Sequence, residues 1–247
     1  MDKYQTWETQ KDTIAHQEYL KISDTNLLGH MHIANYEVVQ HELNKFNSPE
    51  IISHYLFNRD EFKKEHLNIS RHLFNYISSA LSFRDSTRNL LKTKALNVTD
   101  IKGKSETLIN HEFKNNPVIK LLEDLRNILT HQNMISPSIS SFMHFQRNIN
   151  MHGFSFKIER ILNNDRTTKQ TREYLNSLKQ KNLFILPTIE EYQYTTLKYQ
   201  HWLLASIYTI HQDTYPEYWD ARKNIMNEWG GDTQLIPKES EINYFTR

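Results

Sequence analysis

The sequence contains no cysteine among its 247 residues, and it has only five glycines and six prolines. Without cysteine there can be no disulfide, no thiolate metal ligand and no thiol nucleophile. An all-β fold needs many tight turns, which glycine and proline usually supply, so their scarcity argues against that class. The absence of cysteine is also compatible with a reducing cytoplasm.

The chain also lacks a strong net charge and a long apolar run. Its formal net charge is +1, so no global electrostatic field attracts nucleic acid. The longest apolar stretch, residues 202–210, is too short to span a bilayer, and no basic region followed by an apolar one opens the chain. We therefore expect a soluble, cytoplasmic protein with no membrane partner.

Several catalytic motifs are missing as well. The glycines are too few for a Walker loop or a dinucleotide-binding pattern, and no Gly-x-Ser-x-Gly or His-Glu-x-x-His motif occurs. His30 and His32 form the tightest histidine pair, but no further ligands follow at a set spacing. Glu190 and Glu191 are better explained by a position near a helix N-terminus, where carboxylates are stabilising, than by a role in acid–base catalysis. We expect neither a metal nor a cofactor.

What the sequence does contain is apolar residues at helical spacing along most of its length. Alternating apolar residues in 142–148 and 154–161, on either side of Met151-His152-Gly153, predict a β-hairpin. The fold is therefore predicted to be mainly α, an antiparallel helical bundle with one inserted β-hairpin. The predicted helices cover about 33–46, 49–57, 58–94, 105–113, 117–135, 167–181, 188–211 and 216–229.

No stretch rich in glycine, proline or serine suggests a domain boundary, so we predict a single domain over residues 1–247. Its parts are a core at about 33–135, the hairpin at about 140–162, C-terminal helices at about 167–229 and a polar tail at 230–247. Residues 1–31 show weak periodicity and are interpreted as a short helix or an arm. Thr188 is predicted to cap the helix that follows it, with Glu191 completing a capping box.

The long helix at 58–94 places two arginines where apolar residues are expected. Apolar residues between Leu67 and Leu81 lie close to one line, and Arg84 and Arg88 continue it. If both arginines face inward they need partners, because an unpaired buried charge is costly, and Glu123 or Asp124 could serve. Alternatively, this end of the helix is exposed and both are solvated. The line consists of Leu67, Phe74, Ile77 and Leu81.

The helix that begins at Pro117 is the most informative stretch. Proline suits the first helical position, and Asn115 or Asn116 in front of it can cap the helix. Asn127 and His131 are four residues apart and share a face opposite the apolar arc, while Arg126 lies at the edge of that face. The apolar arc is formed by Val118, Leu121, Leu122, Leu125, Ile128 and Leu129.

The pattern Arg126-Asn127-x-x-x-His131, near the end of a helix and within LLEDLRNILTHQ, resembles the signature of the HEPN superfamily. The run FRDSTR, residues 83–88, resembles part of the helix that pairs with it in some bacterial members. The similarity covers roughly residues 65–135. It implies an all-α domain and, in many members, a metal-independent endoribonuclease of toxin–antitoxin or phage-defence systems.

The resemblance also implies roles and partners. Arg126, Asn127 and His131 would be the catalytic residues, while Arg84 and Arg88 would support phosphate binding or form a structural ion pair. RNA would be the substrate, the chain would form a homodimer, and an antitoxin or another protein would be its partner. Histidine can deprotonate the 2′-hydroxyl or protonate the leaving oxygen, and a guanidinium can stabilise the phosphorane.

Two alternatives stay open. Arg126 could form a salt bridge with Asp124 or Glu123, and His131 could be a solvated residue near the helix C-terminus. The chain would then be a non-catalytic helical module that binds a protein or a nucleotide.

Two other pairs match the looser pattern Arg-x(4–6)-His, namely Arg59–His66 and Arg147–His152. The second copies the spacing of Arg126 and His131, but it lies within the predicted hairpin. The helical context, rather than the spacing, favours Arg126 and His131.

Overall fold

A computed structural model describes residues 3–93, 100–131, 135–144 and 149–229. Helices dominate these residues, and a small antiparallel sheet is inserted among them, so the predicted fold class is confirmed. None of the helices in the described ranges is long and apolar enough to cross a membrane. The helices are α1 (Lys3–Lys11), α2 (Ile14–Asn44), α3 (Pro49–Phe57), α4 (Arg59–Leu90), α5 (Ile101–Leu108) with a π-helical turn (Ile109–Phe113), α6 (Pro117–His131), α7 (Ile158–Leu162), α8 (Lys169–Ser177), α9 (Ile185–Thr214) and α10 (Pro216–Trp229).

Local capping chemistry sets the starts of α3 and α6. The Ser48 hydroxyl accepts a hydrogen bond from the N–H of Ile51, and Pro49 occupies the first helical position. The Asn116 side chain accepts from the N–H of Val118 at 2.9 Å. Both predicted starts are therefore confirmed, as is the helix at 216–229.

The sheet confirms the predicted hairpin but corrects its position. Strands β1 (Ser138–His144) and β2 (Ile149–Lys157) pair antiparallel, and β3 (Asn182–Phe184), which was not predicted, pairs with the end of β2. Residues 151–153 lie inside β2 and pair with β1, so they are not the turn. The strands are joined by residues 145–148, which lie outside the described residues. Residues 158–162 are helical rather than extended.

The glycine that suggested a turn has a different role. Gly153 lies within β2 with φ of +137°, a conformation that L side chains rarely adopt. The sequence analysis therefore assigned Gly153 to the wrong element, a turn instead of strand β2.

Helix α2 begins about twenty residues earlier than predicted. Its inward face contains Thr25 and His32, which are 1% and 0% exposed, together with buried Gly29. Because these residues are polar or small, the apolar spacing of Ala15, Tyr19 and Ile22 does not continue along α2, and the long helix could not be recognised from hydrophobic spacing. The predicted arm at 1–31 is instead α1 and the first half of α2.

The apolar line predicted for α4 is confirmed at Ile77 and Leu81, which are buried, and is wrong at Leu67 and Phe74. Leu67 is 71% exposed and Phe74 is 37% exposed. The buried face is rotated away from these two positions. It consists of Ile69, Leu73, Tyr76, Ile77, Ala80 and Leu81.

Helices α2 and α4 run antiparallel where they meet. His32 lies 3.5 Å from the Ser79 hydroxyl, and Tyr36 packs on Tyr76. Residues later in α2 therefore contact residues earlier in α4, as expected for antiparallel helices.

Other boundaries differ by a few residues. Helix α9 begins at Ile185, so Thr188 lies inside its first turn and donates its hydroxyl to the Phe184 carbonyl at 2.7 Å. The predicted capping box is therefore wrong. The predicted helix at 167–181 is the shorter α8, which Thr168 caps. The polar tail at 230–247 lies outside the described residues.

Contacts divide the chain into two compact units, each with its own core. Unit 1 comprises Met1–His30, Ser82–Lys114 and Thr196–Arg247, and unit 2 comprises Met31–Leu81 and Asn115–Thr195. The core of unit 1 is rich in aromatic residues, including Trp7, Tyr19, Trp202 and Tyr218. The core of unit 2 is mostly aliphatic and contains the apolar faces of α4 and α6 together with β2. Three of the four boundaries fall inside the long helices α2, α4 and α9, and the fourth lies between Lys114 and Asn115, just before α6.

Candidate functional site

The apolar face of α6 holds the helix in one rotational setting within unit 2. Its buried residues are 3% exposed or less, and Leu129 packs against the same core. Burial of five large side chains on one arc prevents rotation of the helix about its axis. The predicted apolar arc is therefore confirmed. The five residues are Val118, Leu121, Leu122, Leu125 and Ile128.

Arg126 and Asn127 lie outside this buried arc and are each partly exposed. His131 is the last residue of α6, and its side chain lies outside what the structure describes. Since α6 is continuous from Pro117 to His131, the backbone places Asn127 and His131 one turn apart on the same face. The catalytic assignment of the three residues stays a prediction.

The acidic neighbour Asp124 has a structural role. It is 1% exposed, and its Oδ2 accepts hydrogen bonds from the backbone N–H and the hydroxyl of Thr168, both at 2.8 Å. Thr168 is the N-cap of α8, so these hydrogen bonds to the Asp124 carboxylate link α6 to the start of α8.

The other suggested carboxylate, Glu123, is 2.8 Å from the ammonium group of Lys120, one turn earlier on α6. Glu123 therefore takes part in an ion pair along the surface of its own helix.

Arg84 and Arg88 belong to unit 1, whereas α6 belongs to unit 2. Arg84 binds the carboxylate of its neighbour Asp85 through Nε and Nη2, at 3.0 and 2.8 Å. Arg88 has a side chain that is 55% exposed and lies 3.8 Å from the same carboxylate. The pairing of these arginines with Glu123 or Asp124 stays a prediction.

The two other arginine–histidine matches occupy different settings. His66 on α4 contacts the Pro137 carbonyl at 2.8 Å and the Ser136 hydroxyl at 2.9 Å, so it holds the segment that precedes β1. His152 lies on β2, with Nδ1 3.0 Å from the Ser141 hydroxyl on β1. Arg147, its partner in the motif, lies outside the described residues.

The histidine pair at 30 and 32 is split between exposed and buried positions. His30 is exposed, whereas His32 is fully buried and stacks on the Tyr76 ring at a centroid distance of 5.2 Å. Burial lowers the pKa of His32 to about 4, against an opposing hydrogen bond from Gln193. In the described ranges, no group of three or more His, Asp or Glu side chains could hold a metal ion.

The sequence analysis missed a polar cleft in unit 2, which we term the lysine cleft. It has a volume of about 750 Å³ and is lined by the end of β2, by α7 and α8, and by the segment that leads into β3. The run Lys179-Gln180-Lys181-Asn182 was visible in the sequence, but its neighbour Lys157 lies far upstream. Only the pairing of β2 with β3 brings them together. The lining contains Lys157, Ile158, Glu159, Leu162, Asn163, Leu175, Asn176, Lys179, Gln180, Lys181 and Asn182.

No protein-family model, no curated protein and no solved structure matches the chain. The resemblance to the HEPN superfamily therefore rests on the residues of α4 and α6 alone.

Proposed function

We propose that this protein is a metal-independent endoribonuclease of the HEPN type, acting in a toxin–antitoxin or phage-defence system. The observation that supports the proposal is the Arg126-Asn127-x-x-x-His131 pattern on the last turns of α6. The core arc orients this helix so that Arg126 and Asn127 stay outside the buried face.

The chemistry needs no metal. The 2′-hydroxyl of RNA attacks the neighbouring phosphorus, and the 5′-oxygen leaves, so one proton must be removed and another supplied. His131 performs these transfers in the proposal. Arg126 stabilises the extra negative charge of the phosphorane by charge-assisted hydrogen bonds. Asn127, one turn before His131, orients the imidazole or binds a phosphate oxygen.

The decisive test is RNA cleavage in the presence of EDTA by the wild type and by His131→Ala. Removing a general acid or base is expected to slow cleavage by about 10²–10⁴-fold. The melting temperature should change little, because the residue ends a helix and lies off the core arc. Arg126→Ala should give a loss of similar size through the transition-state charge.

His111→Ala is the matched control, because His111 has a side chain that is 83% exposed and lies in the other unit. It should cleave RNA at the wild-type rate. Equal cleavage by His131→Ala and the wild type would reject the mechanism. If the wild type binds RNA or a nucleotide but cuts nothing, the non-catalytic binding module is the correct alternative.

A further inference from the structure

The lysine cleft combines a concave shape with an excess of positive charge. Three lysines line it, against the single carboxylate of Glu159. All three lysines are exposed, and their ammonium groups have no hydrogen bond or ion pair with any other described residue. Three unpaired ammonium groups around one depression create a local positive potential, although the chain as a whole is close to neutral. The lysines are Lys157, Lys179 and Lys181.

Neutral hydrogen-bond donors surround these charges. Four carboxamide side chains line the cleft, and none of them has a hydrogen bond to another described residue. Carboxamides donate to anionic oxygens without adding charge, and together with lysine they suit a ligand rich in acceptors. They are Asn163, Asn176, Gln180 and Asn182.

The backbone holds two of the lysines at fixed positions. Lys157 pairs with Asn182 across β2 and β3, and the N–H of Ile158 donates to the Lys181 carbonyl at 3.0 Å. Below them, Ile158 and Leu175 are buried in the core of unit 2. The anchor points of Lys157 and Lys181 are therefore ordered before any ligand arrives, which reduces the entropic cost of binding.

Lys179 occupies a backbone conformation that favours glycine. Its φ is +51°, and it follows Leu178, the C-cap of α8. At this position of a helix terminus, glycine or asparagine is the usual residue, because a Cβ raises the energy of the left-handed region. A lysine here sacrifices local stability, and its side chain lines the cleft. Strain of this kind is expected where the side chain serves a function.

We propose that the lysine cleft is a binding site for phosphate groups, supplied either by a nucleotide or by the backbone of an oligonucleotide. Three ammonium groups suit a ligand with several negative charges, such as a diphosphate, better than they suit a ligand with a single carboxylate. A volume of about 750 Å³ falls in the usual range for a small-molecule pocket. The site is separate from the α6 residues, so the inference does not depend on RNA cleavage.

Calorimetric titration of the full chain with inorganic pyrophosphate at low ionic strength tests the site. The wild type should bind, and added salt should weaken binding. Lys157→Gln and Lys181→Gln should each weaken it about tenfold, which is the loss of one charge-assisted hydrogen bond. The double variant should show no measurable binding.

Lys169→Gln is the matched control. Lys169 is exposed on α8 and does not line the cleft, so its loss removes one positive charge without removing a ligand contact. Pyrophosphate should bind this variant as it binds the wild type. If Lys157→Gln and Lys181→Gln behave like this control, or if the wild type does not bind pyrophosphate, the proposal is overturned.

Lys179→Gly separates binding from folding. Glycine should relieve the left-handed strain and raise the melting temperature by about 2–4 °C. The same variant should bind pyrophosphate about tenfold more weakly. Weaker binding in a more stable protein cannot result from misfolding, whereas unchanged binding would contradict a ligand role for this lysine.

Two further titrations identify the source of the phosphate. ADP that binds more tightly than pyrophosphate, with the same dependence on Lys157 and Lys181, supports a nucleotide. A single-stranded RNA octamer that binds more tightly than ADP, with the same dependence on Lys157 and Lys181, supports an oligonucleotide backbone. His131→Ala should bind pyrophosphate and ADP as the wild type does, so failure of the proposed cleavage mechanism would leave this result intact.

Discussion

At the scale of single residues, His32 shows how burial changes the chemistry of a side chain. It is fully buried between α2 and α4, against Tyr76 and near Ser79. Loss of hydration disfavours the imidazolium, so burial lowers the pKa of His32 to about 4 from an ordinary value of 6.5. The folded protein therefore holds this histidine neutral where the unfolded chain would protonate it.

This shift predicts acid destabilisation. Above about pH 6.5, His32 is neutral in both states, so its contribution to stability is fully present. Between pH 6.5 and about 4 the unfolded chain binds a proton that the folded protein does not, and stability falls as pH falls. The total loss from this residue is about 3 kcal/mol. Urea unfolding at pH 7, 5.5 and 4.5 measures it.

His32→Gln isolates this contribution, because burial also lowers the pKa of His16 and of His211. The variant should be less stable at pH 7, since a stacked ring is lost, but should lose less stability between pH 7 and 4.5 than the wild type. Substituting exposed His111 by glutamine is the control. Equal pH dependence in His32→Gln and the wild type would show that His32 is protonated freely in the folded state.

At the scale of elements, Gly29 on α2 lies where the close approach of α4 leaves no room for a side chain. A Cβ at Gly29 would lie 2.9 Å from Cζ of Phe83, a ring that is 1% exposed on α4. The buried ring has little space to retreat, because protein cores are close-packed. The glycine is therefore required by close approach, although glycine is a poor helix former.

Gly29→Ala should consequently destabilise the protein. Alanine gains about 1 kcal/mol in helix propensity, but overpacking typically costs about 1–3 kcal/mol, so we expect a net loss of about 1 kcal/mol. Thermal or urea unfolding measures the change. In a Phe83→Leu background the cost of Gly29→Ala should be smaller, because the obstructing ring is gone.

Gly103→Ala on α5 is the matched control for the same substitution. Its nearest neighbour would be the Asp100 carboxylate oxygen at 3.1 Å, the end of a side chain that can move. This variant should be neutral or stabilised by up to about 1 kcal/mol. If Gly29→Ala stabilises the protein as much as Gly103→Ala does, close packing against Phe83 does not constrain α2.

At the scale of the whole molecule, each of the two units has its own core, and the predicted residues are divided between them. Unit 2 contains α6 and the lysine cleft, while unit 1 contains Arg84 and Arg88. The environment of α6 and the lysine cleft is therefore set by contacts within unit 2, and that of Arg84 and Arg88 by contacts within unit 1. The proposed homodimer also belongs to this scale, because in the HEPN superfamily two sites usually meet across the interface.

The proposed function predicts a dimer in solution. Light scattering coupled to gel filtration should give a mass of about twice the 29.6 kDa of the chain. The mass should stay constant on dilution over the range in which RNA cleavage is measured. A monomeric protein that cleaves RNA at full rate would contradict the shared-site arrangement, even if His131 proved essential.

Short-range chemistry was enough to determine several features of this protein from its sequence. The starts of α3 and α6 depend on Ser48-Pro49 and Asn116-Pro117, where the cap and the groups it satisfies lie within three residues. The apolar arc of α6 was predicted for the same reason, since its residues repeat with the period of one helix. Sequence alone also suggested Arg126, Asn127 and His131 as a group, because one helix carries all three.

Only the tertiary structure decided the features that depend on distant residues. Thr25, Gly29 and His32 face inward on α2 because α4 packs against them, and their polarity or small size concealed the helix. The cleft exists because β3 pairs with the end of β2 and thereby joins Lys157 to Lys181. Hydrophobic periodicity reports burial only where the buried residues are apolar, and strand pairing between remote segments leaves no local pattern.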